Sequence, residues 1–149
     1  MIRRLGALHR CTRGSVLIEF AVLGPLLFTL LLAVFQFGLG LQSYNALRGV
    51  TADVARHVEV EYQKAENTSN PRPMSEEDIR LYATRVATQA PYLLDRRRVT
   101  VSVAPAAAQR IADARELTFR VIYVVPSVLS FIDLPEITVQ FTRPIFVPA

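Results

Sequence analysis

The sequence predicts an α+β protein. A long N-terminal transmembrane helix extends into a small exported domain with one amphipathic helix and a three- to four-stranded antiparallel sheet. Three observations predict this. An apolar run of membrane-spanning length follows a short basic leader. A three-or-four hydrophobic spacing continues beyond that run and returns after a Pro- and Asn-containing break. In the last third of the chain the spacing changes to alternation.

The leader is residues 1–14. Its four arginines, Arg3, Arg4, Arg10 and Arg13, have no acid among them and account for the whole formal charge of +4. The rest of the chain is balanced, so the basic character describes the leader and no nucleic-acid-binding face is expected. The single cysteine, Cys11, lies in the leader, which leaves no partner for an intramolecular disulfide.

The long helix is expected over 15–62, with its transmembrane part at about 16–41. The polar side chains Glu19, Thr29 and Gln36 interrupt the apolar run. From Phe20 to Leu41 no charge occurs, and at ~1.5 Å per residue that stretch is about 33 Å long, close to the ~30 Å of a hydrocarbon core. A cleaved signal peptide is the competing reading. Its apolar core is normally ~7–15 residues with a small-residue cleavage site after it, and Gly38-Leu39-Gly40 is a poor one. A retained span is favoured. The leader arginines hold the N-terminus in the cytoplasm, so the C-terminal part is exported.

The protruding part of the helix is expected over about 42–62. Leu47, Val50, Val54, Val58 and Tyr62 keep the helical spacing, with Arg48, Asp53, Arg56, Glu59 and Glu61 around the remainder. Gly49 weakens the pattern slightly.

The exported domain is 63–149. "AENTSNPRP" (Ala65 to Pro73) reads as a loop. Ser75 followed by Glu76, Glu77 and Asp78 is a helix N-cap with acids in the first turn. Ile79, Tyr82, Ala83, Val86, Ala87 and Ala90 form one face of an amphipathic helix that Pro91 ends. Val99, Val101 and Val103 share a face of one strand. Leu117, Phe119, Val121, Tyr123 and Val125 share a face of a second, and Ile137, Val139 and Phe141 of a third. Pro105 to Ala114 is a loop or weak helical turn, and Pro126 to Pro135 is an apolar connection with room for one short helix.

Chemistry is sparse. No His/Cys/Asp/Glu group has metal-ligand spacing, no Gly-rich phosphate loop occurs, and no G-x-S-x-G elbow is present. Neither enzyme activity, metal nor cofactor is expected. His57, between Arg56 and Glu59, reads as a solvated helix position. The run Arg96-Arg97-Arg98 reads as a solvated strand entrance, with anionic lipid head groups or an acidic partner as the alternative.

Glu19 is the exception. A carboxylate inside a membrane span is costly and marks a functional position by default. Gly14 ends the leader and Glu19 is the fifth residue after it. "GSVLIEF" resembles the processing site of type IV-like pilins, where a prepilin peptidase cuts after the Gly on the cytoplasmic side. "RGSVLIEFAVLGPLLFTLLLAVFQFG" followed by "ALRGVTADVARHV" is similar to the TadE-like family, pilin-like minor proteins of tight-adherence (Flp) pilus systems. The residues that carry the resemblance are Gly14, Ile18-Glu19-Phe20-Ala21, Pro25, Phe37-Gly38 and Ala55-Arg56.

The resemblance implies a pseudopilin of the bacterial inner membrane, cut after Gly14 to expose the Ser15 amine. The cut site and Glu19 carry over from the family, and no catalytic residue does; Phe20 and Pro25, which with Gly24 marks a place where the helix can kink or locally open, are expected beside Glu19 as assembly positions. The implied partners are a prepilin peptidase, other pilins or pseudopilins through the N-terminal helix, and the inner-membrane pilus assembly machinery. The alternative is an uncleaved single-pass protein whose exported domain binds a partner in the cell envelope.

Overall fold

A computed structural model of the chain describes residues 12–68, 74–108, 110, 114–129 and 135–148. Most of the leader lies outside these residues, as do parts of the expected loop after Ala65 and of the connection after Pro126.

Helix α1 spans Thr12–Glu66, 55 residues. At ~1.5 Å per residue it is about 80 Å long. It runs through Pro25 without interruption. Pro25 has no N–H to donate, and its own carbonyl accepts a second bond from Thr29 Oγ1 at 2.8 Å. Two other hydroxyls along the helix are satisfied in the same local way. Ser43 Oγ donates to Leu39 O at 2.8 Å and Thr51 Oγ1 to Arg48 O at 3.0 Å. Both side chains are buried, and local bonding removes the cost of an unpaired hydroxyl.

Helix α2 spans Glu76–Thr88 and begins as the sequence predicts. Ser75 and Asp78 form a reciprocal capping box, which satisfies two otherwise orphaned N–H groups. Ile79, Ala83 and Ala87, four residues apart, make its buried stripe. The two alanines let the helix axis come close to its neighbours.

Three strands follow: β1 (Val99–Pro105), β2 (Ala114–Val124) and β3 (Thr138–Pro148). They form an antiparallel meander in the order β1-β2-β3, in register Val101↔Val121 and Val121↔Phe141. β3 outruns the expectation, which ended at Phe141. Thr142-Arg143-Pro144 breaks the alternation in sequence, but β3 is an edge strand, where a Pro is tolerated. Beyond it Ile145 and Val147 return to the core.

One face of the sheet is covered, by α1 over β3 and β2 and by α2 over β1. The core joins Leu47, Val50, Val54 and Val58 of α1 to Ile79, Leu117, Phe119, Val121 and Ile145. The opposite face carries Thr100 and Ser102 of β1, Arg120 of β2, and Gln140 and Thr142 of β3. That is the one-sided pattern of an antiparallel sheet with a wet face. The fold is therefore α+β, a sheet-and-helix head on the C-terminal half of one long helix.

One sequence reading needs correction. His57 is not fully solvated: it is half-buried and stacks on Tyr82, with ring centroids 4.1 Å apart at 17°. The head meets α1 as early as Gln36, which is buried. The short helix considered for Pro126 to Pro135 does not form over 126–129, and 130–134 lie outside the described residues.

Candidate functional site: the uncovered half of the long helix

From Ser15 to Phe35, α1 touches almost nothing among the described residues. Val16, Leu17, Ile18, Phe20, Leu27 and Phe28 are each well over half exposed. The helix is long and apolar enough to cross a membrane, with a mean hydropathy of 2.4 and none of its most apolar window buried. So much exposed apolar surface has no place in water. The arrangement is consistent with a membrane-anchored single-pass protein.

Of the five positions singled out in the sequence, Ser15, Glu19, Phe20 and Pro25 lie on this stretch and Gly14 immediately precedes it. Gly14 and Ser15 are in the first turn of α1, whose opening residues Thr12, Arg13, Gly14 and Ser15 include poor helix formers. Ser15 and Glu19 are one turn apart on the same face. Glu19 is exposed, and among the described residues it has no hydrogen bond or ion pair. Phe20 is 74% exposed, and its ring lies beside Gly24. Pro25 is exposed, one turn and a half further on. The structure brings these residues to one helix end, and among the described residues no side-chain hydrogen bond or ion pair is made by Ser15 or Glu19.

Among the described residues the side-chain hydrogen bonds between α1 and the head begin at Gln36. Its Nε2 donates to Pro126 O at 3.2 Å, and its Oε1 accepts from the Val128 amide at 2.8 Å. One amide side chain thus behaves as a strand neighbour would, closing both backbone groups of the connection after β2. Beside it lies an apolar hollow of about 350 Å³ lined by Ala33, Phe37, Leu129, Pro135 and Ile137. Sequence reading named Gln36 only as an interruption of the run. Its signal was a lone amide near the far end of a charge-free span.

Above this level three more contacts fasten α1 to the head. Tyr44 meets Phe141 edge-on, with centroids 5.8 Å apart. Tyr62 Oη donates to Met74 O at 3.0 Å. Tyr92 Oη donates to Asp53 Oδ2 at 2.8 Å, and its ring lies directly over Gly49. Burial and the Asp53 carboxylate push the Tyr92 hydroxyl up to about 12. On the wet face of the sheet Arg110 closes over buried Glu116 and holds that carboxyl below its usual range.

Among the described residues no group of three or more His, Cys, Asp and Glu is placed to hold a metal ion. The profile of the TadE-like protein family matches residues 14–56. The match opens on Gly14, includes Glu19, Phe20, Pro25 and Gln36, and closes on Arg56. It therefore covers the uncovered half of α1 and the first turns of its packed half, and stops short of α2 and the sheet. Among curated proteins and among solved structures nothing matches the chain.

Proposed function

With a TadE-like segment at residues 14–56 as the premise, we propose that this is a non-enzymatic, Tad pilus-associated protein of the inner membrane. It is made as a precursor, cut after Gly14 by a prepilin peptidase, and then assembled with other pilin-like chains through α1. Its head is exported and its N-terminus starts in the cytoplasm.

The observation that carries the reading is the state of Glu19. The carboxylate sits on a bare apolar helix with no partner among the described residues, four positions from the amine that cleavage would create. An ionised carboxylate in that setting costs a few kcal/mol unless something pairs with it. A neighbouring chain offers a Ser15 amine at the same depth. The pair then serves as a register lock between helices, because a buried ion pair enforces alignment more than it adds net stability.

Gly14 suits the cut on physical grounds. A protease needs extended backbone, and the first turn of α1 must open to supply it. A glycine there lowers the cost of leaving the helix by about 1 kcal/mol relative to alanine. Phe20 and the Gly24-Pro25 step supply exposed surface for a neighbour's helix. The freed carbonyl below Pro25 is tolerated in lipid where such a neighbour covers it.

The test is Glu19→Lys beside Glu19→Gln. Both chains are expected to be trimmed normally and to fail in pilus assembly, with Lys the more severe because it faces a like charge. Normal pili carrying Glu19→Lys would contradict the register lock.

A further inference from the structure

The end of the head that faces the membrane is built from elements far apart in sequence. The antiparallel register brings the start of β1, the end of β2 and the start of β3 to one edge, since Val99 pairs with Tyr123 and Tyr123 with Val139. The Val124 amide donates to Arg98 O, which places the Arg96-Arg97-Arg98 run on that same edge. The connection after β2 lies there too, held to Gln36. The edge thus sits where the bare part of α1 ends.

Depth follows from helix geometry. A span of about 20 residues that starts between Ser15 and Glu19 ends between about Phe35 and Leu39. That is the level of Gln36. The head-group zone continues for about 5–8 Å beyond the hydrocarbon, or some four residues of helix, to the level of Leu39 and Gln42. Leu93, Leu94, Tyr123 and Pro126 pack around that level.

The side chains at this edge have the chemistry of a membrane interface. Leu93 is 73% exposed, Ile137 42% and Val128 40%; apart from these, Val60 and Leu81 are the large exposed apolar residues of the described part of the head and its helix above Tyr44. Leu93 is also the one described non-glycine residue with positive φ, at 51°. That backbone is unfavourable for a Leu. It is maintained by the Leu93 amide bonding to Gln89 O and the Leu94 amide to Ala87 O, and it turns an apolar side chain outward. Among the described residues Arg96 and Arg97 are exposed and their side chains make no ion pair, while Arg98 reaches Asp95 and Glu136 only at 3.9 and 3.6 Å.

We propose that this edge is a lipid seat. Leu93, Val128 and Ile137 enter the outer interface of the membrane that α1 spans, and Arg96 and Arg97 bind the phosphates of anionic lipids there. The seat rests on the single-pass reading above. It gives the head a second contact with the bilayer besides α1, and so fixes how the head stands before assembly. The arginines do not oppose the orientation set by the leader, because that bias is counted close to the ends of the span. Each arginine at an anionic surface strengthens seating about fivefold, and salt weakens it.

The experiment uses the full chain with Cys11→Ser in vesicles of phosphatidylcholine, alone or in equimolar mixture with phosphatidylglycerol. An environment-sensitive label is placed in turn by Leu27→Cys, Leu93→Cys, Ile137→Cys and Gln63→Cys, and quenching by brominated lipid is read. Labels at 27, 93 and 137 should be quenched, and the label at 63 should not. The quenched fraction at 93 and 137 should rise with phosphatidylglycerol. Adding Arg96→Gln or Arg97→Gln should lower the ratio of seated to unseated head about fivefold each.

Quenching at 27 without quenching at 93 and 137 overturns the seat and leaves the span standing. No quenching at 27 overturns the span itself. Equal quenching at 63 means that the head lies flat and also overturns the seat. Shielding at 93 and 137 that disappears on dilution with excess lipid assigns the edge to a second copy of the chain instead.

Discussion

Val128 and Gln36 are 92 residues apart in sequence, yet the Val128 amide donates to Gln36 Oε1 at 2.8 Å. With the return bond from Nε2 to Pro126 O, this amide marks the height on α1 at which the head begins. Gln36→Leu keeps the size of the side chain and strands both backbone groups. The cost should be about 1–3 kcal/mol. Hydrogen exchange in nanodiscs checks it: the Val128 amide should exchange at least several-fold faster, with a smaller change at Val121 in the middle of β2.

Gly49 should show a reversal of sign. A Cβ at this position would lie 2.5 Å from the Tyr92 ring. Gly49→Ala gains about 1 kcal/mol of helix propensity but forces the ring off Asp53, and overpacking of this kind costs about 1–3 kcal/mol. The single variant should be neutral to destabilised by about 2 kcal/mol. In a Tyr92→Ala background the same change should stabilise. A double-mutant cycle by denaturant unfolding measures that coupling.

These two sites show what was legible in the chain and what was not. Leu47, Val50, Val54 and Val58 were readable because the helix repeat alone selects a buried face. The Ser75 cap was readable because both of its partners are local. Gln36 and Gly49 were not, since each is explained by a residue on another element. His57 reads as solvated for the same reason: its neighbours in sequence are charged, but its neighbour in space is Tyr82. The sequence pattern for β3 stops at Phe141, because Thr142-Arg143-Pro144 breaks the alternation and nothing in the sequence says which strand is an edge. Glu19 was legible as an anomaly, since a carboxylate in an apolar run stands out wherever the rest of the chain goes.

Tyr92 should also give the head an alkaline limit. Its hydroxyl is raised from 10.0 to about 12 by burial and by Asp53. Between those values the folded chain keeps a proton that the unfolded chain has lost, so stability is full below about pH 10 and falls as pH rises toward 12. Tyr92→Phe loses one hydrogen bond, about 1 kcal/mol at neutral pH. The difference between the two proteins should shrink across that window. Thermal unfolding of both as a function of pH reads it.

The capping box offers a milder check. Ser75→Ala removes the acceptor for the Asp78 amide, which the Ser75 hydroxyl meets at 3.1 Å. The loss should be about 1 kcal/mol, and Ser75→Asp should recover most of it. Chemical denaturation of the head is sufficient to see both.

The register lock between helices depends on cutting the bond between Gly14 and Ser15. The direct measurement is the N-terminal sequence of the protein purified from membranes of cells that carry a prepilin peptidase. A mature chain beginning at Ser15, with Gly14→Ala leaving the precursor intact, is the predicted result. A mature chain still beginning at Met1 would contradict it and favour an uncleaved anchor whose head binds a partner in the envelope.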